Sequence, residues 1–133
     1  MKFRTVFNFL PAFIFYPKTI FIKFDGITLG PFIFIKEKHK QNIEMLEHEL
    51  IHVKQFYRTF GLFCILYLIS KKRRLVYEVE AYKRSIEIKC KDDASKRTYY
   101  ARQYAKILAD KYQVGLDKDL IFGMLIGKMW VQL

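Results

Sequence analysis

The stretch Leu46–Gln55, LEHELIHVKQ, lies inside a longer segment whose apolar residues have the spacing of an α-helix. From Ile43 to Phe60 these residues recur at steps of three and four, which places them on one face of a helix of about five turns. Asn42 precedes the segment as a suitable N-cap, and Gly61 follows it as a stop signal. The pattern therefore predicts one long helix, and the rest of the fold is interpreted around it.

An HExxH motif, His48 to His52, occupies the middle of this predicted helix. Residues at i and i+4 lie about one helical turn apart, so both imidazoles can reach a single Zn²⁺ ion. Glu49 projects from nearly the same face and can accept a proton from an activated water without being a ligand. The two histidines lie roughly 160° around the helix from the apolar stripe. Because Met45 and Phe56 share their side, we expect the helix to be covered on both faces.

A third ligand has to come from outside the motif, because catalytic zinc usually takes three protein ligands and a water. The extended metzincin motif is excluded, since Gln55 and Arg58 stand where it needs Gly and His. We therefore expect an acidic ligand from a later helix. The candidates are Glu78 and Glu80, which are two residues apart and so point to different sides of a helix. The alternative for either one is a solvated carboxylate that pairs with nearby basic side chains.

The segments LEHELIHVKQ and Tyr77–Tyr82, YEVEAY, together resemble the gluzincin metallopeptidases. The pattern HELxHVxQ followed by ExEA is most similar to that of small uncharacterised zincins of bacteria, phages and contractile injection-system cores. The resemblance covers Glu44 to Ile88. It implies a zincin-like fold, a Zn²⁺ cofactor and hydrolysis of peptide bonds.

Carried over residue by residue, the resemblance makes His48 and His52 zinc ligands and Glu49 the general base. Glu78, the first Glu of the second motif, would be the third ligand, with Glu80 as the alternative. Tyr82 stands where the family has an Asp that supports a ligand histidine by a hydrogen bond.

The first 40 residues are predicted to be extended. Thr19–Phe24 is rich in β-branched and aromatic residues, Asp25-Gly26 is a turn signal, and Gly30-Pro31 interrupts the run before Phe32–Ile35. We expect an α+β fold with a small antiparallel sheet of two or three strands. In zincins the strand before the active helix binds substrate as an added edge strand. The resemblance therefore implies a substrate strand, and its residues are Phe32, Ile33, Phe34 and Ile35.

Helical patterns follow at about Arg74–Lys89 and Lys96–Tyr112, so two or three helices should follow the active-site helix. The apolar segment Leu62–Ile69 should be buried, and a last apolar segment runs from Leu120 to Val131. The chain of 133 residues is expected to form a single domain over 1–133.

The chain carries 24 basic and 13 acidic side chains, a net charge of +11. Lys71–Lys111 contributes seven of these charges, and Lys71–Arg74 is the densest cluster. This cluster is a candidate contact for an anionic partner, and its alternative is a solvated surface. The two cysteines are too few for a disulfide framework and form no CxxC zinc motif.

No apolar run reaches the roughly 20 residues of a spanning helix. The basic and apolar N-terminus lacks a cleavage site before Lys18. We therefore expect no cleaved signal, and a location in the cytoplasm or in a phage or injection particle rather than secretion.

The leading hypothesis is a zinc metallopeptidase acting on a peptide or protein substrate. The alternatives are a non-catalytic zincin-fold structural or interaction protein and, third, a basic nucleic-acid-binding domain. The third lacks any nucleic-acid fold signature.

Overall fold

The structure is a computed structural model that describes residues 1–20 and 23–127. The chain divides into two compact units, Met1–Cys64 and the residues from Ile65 onward, a division that the sequence analysis did not predict. The elements are β1 Lys2–Val6, β2 Leu10–Phe15, β3 Gly26–Leu29, β4 Phe32–Ile35, a 3-10 helix Glu37–His39, α1 Ile43–Arg58, α2 Phe63–Ile69, α3 Lys71–Cys90, α4 Ala94–Lys111 and α5 Lys118–Leu125. A small sheet followed by helices confirms the α+β class.

The sheet of the first unit is mixed rather than antiparallel. Its strand order is β1-β2-β4-β3, with β1–β2 and β3–β4 antiparallel and β2–β4 parallel. After β2 the chain skips one strand position before β3 begins, and β4 then returns into the gap. Local turn signals carry no information about such a skipped position, which is why the antiparallel expectation was wrong.

The tight hairpin turn lies at Gly30-Pro31, between the paired residues Leu29 and Phe32, and not at Asp25-Gly26. Gly30 has a φ of +62°, a left-handed conformation that favours glycine. Gly26 is already the first residue of β3, which leaves Asp25 in a bend before it.

The predicted strand Thr19–Phe24 is not present as a strand in the part that the structure describes. Phe21 and Ile22 lie outside the described residues, and Lys23 and Phe24 form a bend. Residues 10–15, which the sequence analysis did not assign to a particular strand, form β2 instead.

Helix α1 packs on β3 and β4 and closes the core of the first unit. Asn42 caps it as predicted, because its side chain accepts a hydrogen bond of 3.0 Å from the backbone N–H of Met45. The helix ends at Arg58, three residues before Gly61. Its buried residues include every position from His48 to Val53, so the expected cover on both faces is confirmed.

In the second unit, α3, α4 and α5 pack around an apolar core that includes Leu75, Ile86, Leu108 and Ile121. Ser70 and Asp93 cap α3 and α4 at their N-termini. Both helices end within one residue of their predicted ends. Both begin a few residues before their predicted starts, because the spacing of apolar residues does not show where the polar first turn begins. Four helices follow α1 among the described residues, where two or three were expected. The part of the predicted last segment beyond residue 127 lies outside them.

The apolar segment Leu62–Ile69 forms α2, but the prediction that it is buried was wrong. Phe63 is its one fully buried residue. Leu62, Ile65, Leu68 and Ile69 are between 55% and 76% exposed. Apolar composition shows that burial of a segment would be favourable. It does not show whether another element of the fold packs against that segment. Within the described residues, no helix has both the length and the apolar character needed to cross a bilayer.

Candidate metal centre

Helix α1 presents His48 and His52 one turn apart in the first unit. Their ring centroids are 5.0 Å apart and their planes meet at 80°. The two residues are only 8% and 5% exposed. The ring of Phe63 lies 5.6 Å from that of His52 and shields one side of it. The helix therefore holds two buried imidazoles at the spacing that the motif predicts.

Gln55 orients the ring of His52. Its Oε1 lies 2.8 Å from Nδ1 of His52, and Gln55 is only 2% exposed. An amide oxygen can only accept, so Nδ1 carries the proton, and in the neutral ring Nε2 is the unprotonated nitrogen. Histidines that bind metals usually have such a partner on the other ring nitrogen. This role of Gln55 was not predicted from the sequence; the available signal was its position three residues after His52, on the same helical face.

Glu49 is buried against β3. The hydroxyl of Thr28 lies 2.6 Å from Oε2 of Glu49 and 3.2 Å from the backbone oxygen of the same residue. Gly26 lies so close that a Cβ atom there would be 2.7 Å from Oε1 of Glu49. The Thr28 hydroxyl therefore fixes Oε2 of the carboxylate, and Gly26, which has no side chain, lies beside Oε1. Nothing in the sequence pattern marks Thr28 or Gly26, because both contacts are made across the fold.

Glu78 is a buried acid of the second unit, on α3, and is 2% exposed. The hydroxyl of Tyr67 donates a hydrogen bond of 2.6 Å to its Oε1. The pKa of Tyr112 is raised well above its usual range, first by burial and second by the charge of Glu78. Glu80 is half-buried. Of the two candidate acids, Glu78 is therefore the one enclosed among phenols.

Tyr82, the predicted support for a ligand, contacts other tyrosines. Its hydroxyl lies 3.2 Å from that of Tyr112, and its ring centroid lies 4.6 Å from that of Tyr104. The phenol that binds the carboxylate of Glu78 directly is Tyr67, which the sequence analysis did not single out. No signal could have found it, because α2 was not expected to contribute polar contacts.

The chain carries three buried side chains of the kinds that could hold a metal ion: the imidazoles of His48 and His52 in the first unit and the carboxylate of Glu78 in the second. Two nitrogens and one oxygen fit Zn²⁺, which accepts this set in catalytic sites and keeps its fourth position for water or substrate.

The position predicted for the substrate strand needs correction. Phe32, Ile33, Phe34 and Ile35 form β4, which pairs with β3 on one side and with β2 on the other. Peptide addition needs an unpaired strand edge, so β4 cannot be the edge strand. The edge strands of the described sheet are β1 and β3.

The basic cluster Lys71–Arg74 divides into two parts. Arg74 is half-buried and donates hydrogen bonds to the backbone oxygens of Tyr67 and Leu68, each at 2.9 Å. Lys71, Lys72 and Arg73 are exposed. Three of the four residues therefore remain candidates for an anionic partner.

Comparisons of this chain with protein-family models, with curated proteins and with solved structures find no match.

Proposed function

We propose that the protein is a zinc-dependent metallopeptidase in which His48, His52 and Glu78 hold one zinc ion. The observation that carries the proposal is the buried HExxH pair on α1, in which the hydrogen bond between Nδ1 of His52 and Gln55 makes Nε2 the unprotonated ring nitrogen, the form that binds a metal. The buried carboxylate of Glu78 supports it, because a carboxylate oxygen beside two imidazole nitrogens is a ligand set that catalytic zinc accepts. The resemblance to gluzincins adds a reaction class to this donor set.

Glu49 is the general base of the proposed reaction. Zinc, when bound, would polarise the scissile carbonyl and lower the pKa of a water molecule. Glu49 takes a proton from that water and later delivers it to the leaving amine nitrogen. Because Thr28 binds Oε2, the proton is carried on Oε1. The absence of a side chain on Gly26 leaves space beside that oxygen.

An extended peptide would bind along the free edge of β3. One side of β3 pairs with β4, and its other side faces no strand among the described residues. Strand addition supplies backbone hydrogen bonds that do not depend on the peptide sequence. Since Thr28 of β3 contacts Glu49, a peptide on this strand lies next to the general base. This assignment replaces the one made for β4.

The proposal is tested by measuring zinc content and peptide cleavage on the same preparations. The intact protein should cleave a mixed peptide library. Glu49→Gln should keep its zinc and lose about 10²- to 10⁴-fold in rate, the usual contribution of a general base. Glu44→Gln, on the same helix but half-buried near its start, serves as the matched control. Full cleavage by Glu49→Gln would refute the assigned role.

A second candidate is a non-catalytic metal-binding module, favoured by the tight packing of Glu49 between Thr28 and Gly26. A carboxylate held in this way also serves to anchor a helix to a sheet. In this alternative, zinc binds but no peptide is cleaved, and Glu49→Gln lowers the melting temperature without affecting any turnover.

A further inference from the structure

Among the residues that the structure describes, helix α2 leaves one apolar face exposed. Ile65, Leu68 and Ile69 are 56%, 72% and 76% exposed. Their spacing of three and one residues places them on one side of the helix. Single exposed apolar residues are common, but three on one short helix face form a patch that calls for a partner.

Three exposed basic residues follow this face directly: Lys71, Lys72 and Arg73. The sequence contains no Asp or Glu from Gly61 to Tyr77. Within the ranges 1–20 and 23–127, no ion pair involves any of the three side chains. The apolar face and these cations together are called the α2 corner below.

The α2 corner is held in shape by Arg74 and Ser70. Arg74 donates to two carbonyls in the last turn of α2 and, at 3.0 Å, to the backbone oxygen of Tyr112. The Ser70 hydroxyl accepts from the backbone N–H of Arg73 at 3.2 Å and caps α3. The apolar and basic groups are therefore preorganised, which reduces the ordering cost of binding.

We propose that the α2 corner binds the surface of a bilayer that contains anionic lipid. The apolar side chains of Ile65, Leu68 and Ile69 enter the boundary between headgroups and acyl chains, and the adjacent cations contact the headgroups. A protein partner fits less well, because the cores of protein interfaces are depleted in lysine. The contact is peripheral and does not depend on the metal site.

The test is flotation of the full chain with vesicles of phosphatidylcholine alone or with 30% phosphatidylserine, a fraction chosen to give about the surface charge of a cytoplasmic leaflet. The protein should bind the anionic vesicles and be released at high salt. Replacement of Lys71, Lys72 and Arg73 by Gln should weaken partitioning by about a hundredfold. Leu68→Gln with Ile69→Gln should weaken it on both vesicle types.

Matched control variants test whether vesicle binding depends on the α2 corner itself or only on the total charge and hydrophobicity of the protein. Lys91, Lys106 and Lys118 are exposed elsewhere in the second unit, and their replacement by Gln removes the same charge. Leu120→Gln removes an apolar side chain that is 42% exposed on α5. Equal loss of binding in the control triple would overturn the proposal. So would absence of vesicle binding, or concentration-dependent self-association that the Leu68→Gln and Ile69→Gln changes abolish.

Discussion

The hydroxyl of Thr28 donates a hydrogen bond of 2.6 Å to Oε2 of Glu49. This bond joins edge strand β3 to the helix that carries the histidine pair, across 21 residues of sequence. It fixes one oxygen of the proposed general base and leaves the other beside Gly26. The strand on which we propose that a peptide binds and the residue proposed to move the proton are therefore in direct contact.

Thr28→Val should lower both stability and activity. Valine has the shape of threonine but no donor, so it leaves a buried carboxylate oxygen unsatisfied, at a cost of about 1–3 kcal/mol in the free energy of unfolding. Urea denaturation measures this cost. In the peptidase reaction that we propose, the cleavage rate should also fall by about tenfold while zinc content stays constant, because the general base loses the donor that orients it. Thr28→Ser should restore both, and Thr98→Val, on the exposed side of α4, should change neither.

Gln55→Leu should weaken metal binding without removing a ligand. Leucine fills a similar volume but cannot accept the proton of Nδ1, so the His52 ring loses its orienting partner. Loss of such a partner lowers metal affinity by roughly 10- to 100-fold. Competition with a chromogenic chelator measures the affinity, and the exposed Gln103→Leu is the control. Unchanged affinity in Gln55→Leu would remove the main support for His52 as a ligand.

Tyr67→Phe should destabilise the second unit and weaken metal binding at the zinc site that we propose. The change removes only the hydroxyl that donates to Oε1 of Glu78, which leaves a buried carboxyl group with one donor fewer, at a cost of about 1–3 kcal/mol in the free energy of unfolding. Thermal and urea unfolding report the first effect, and chelator competition reports the second. Tyr99→Phe, whose side chain is exposed, serves as the control. A variant that unfolds earlier but binds zinc as tightly as the parent would assign Tyr67 a purely structural role.

The ion pair between Asp25 and Lys36 should make a small, pH-dependent contribution to stability. Their side chains are 2.8 Å apart, and the hydrogen bond from Lys36 lowers the pKa of Asp25 below its ordinary value of 3.8. A lowered pKa in the folded state stabilises the protein at higher pH, and this gain disappears as the pH falls through the lowered value. Asp25→Asn should therefore cost less than about 1 kcal/mol at pH 7, since the pair is partly exposed. The difference should vanish at strongly acidic pH, and a difference that grows on acidification would contradict this reasoning.

Helix α1 and its cap could be predicted because their signals are local. The period of the apolar residues, Asn42 at the start and the HExxH spacing all lie within one segment. The α3 and α4 patterns were recognised for the same reason. Elements defined by their neighbours in sequence are the part of this fold that sequence reasoning recovers.

Strand order and the surroundings of the motif could not be predicted. Whether β4 is an edge or an interior strand depends on where β2 lies, and whether Glu49 has a donor depends on Thr28. The exposure of α2 depends likewise on which surfaces remain for it to pack against. Each is a property of pairing across the fold, on which a single sequence carries little information.

The central claim, a zinc site of His48, His52 and Glu78, is tested most directly by the metal content of the purified chain after dialysis against a weak chelator. Elemental analysis should find one zinc ion per chain in the parent and almost none in His48→Ala, His52→Ala or Glu78→Gln, with Glu80→Gln unaffected. Circular dichroism on the same samples establishes that each is folded. A folded parent protein without zinc, or a His48→Ala variant with full zinc content, would contradict the account.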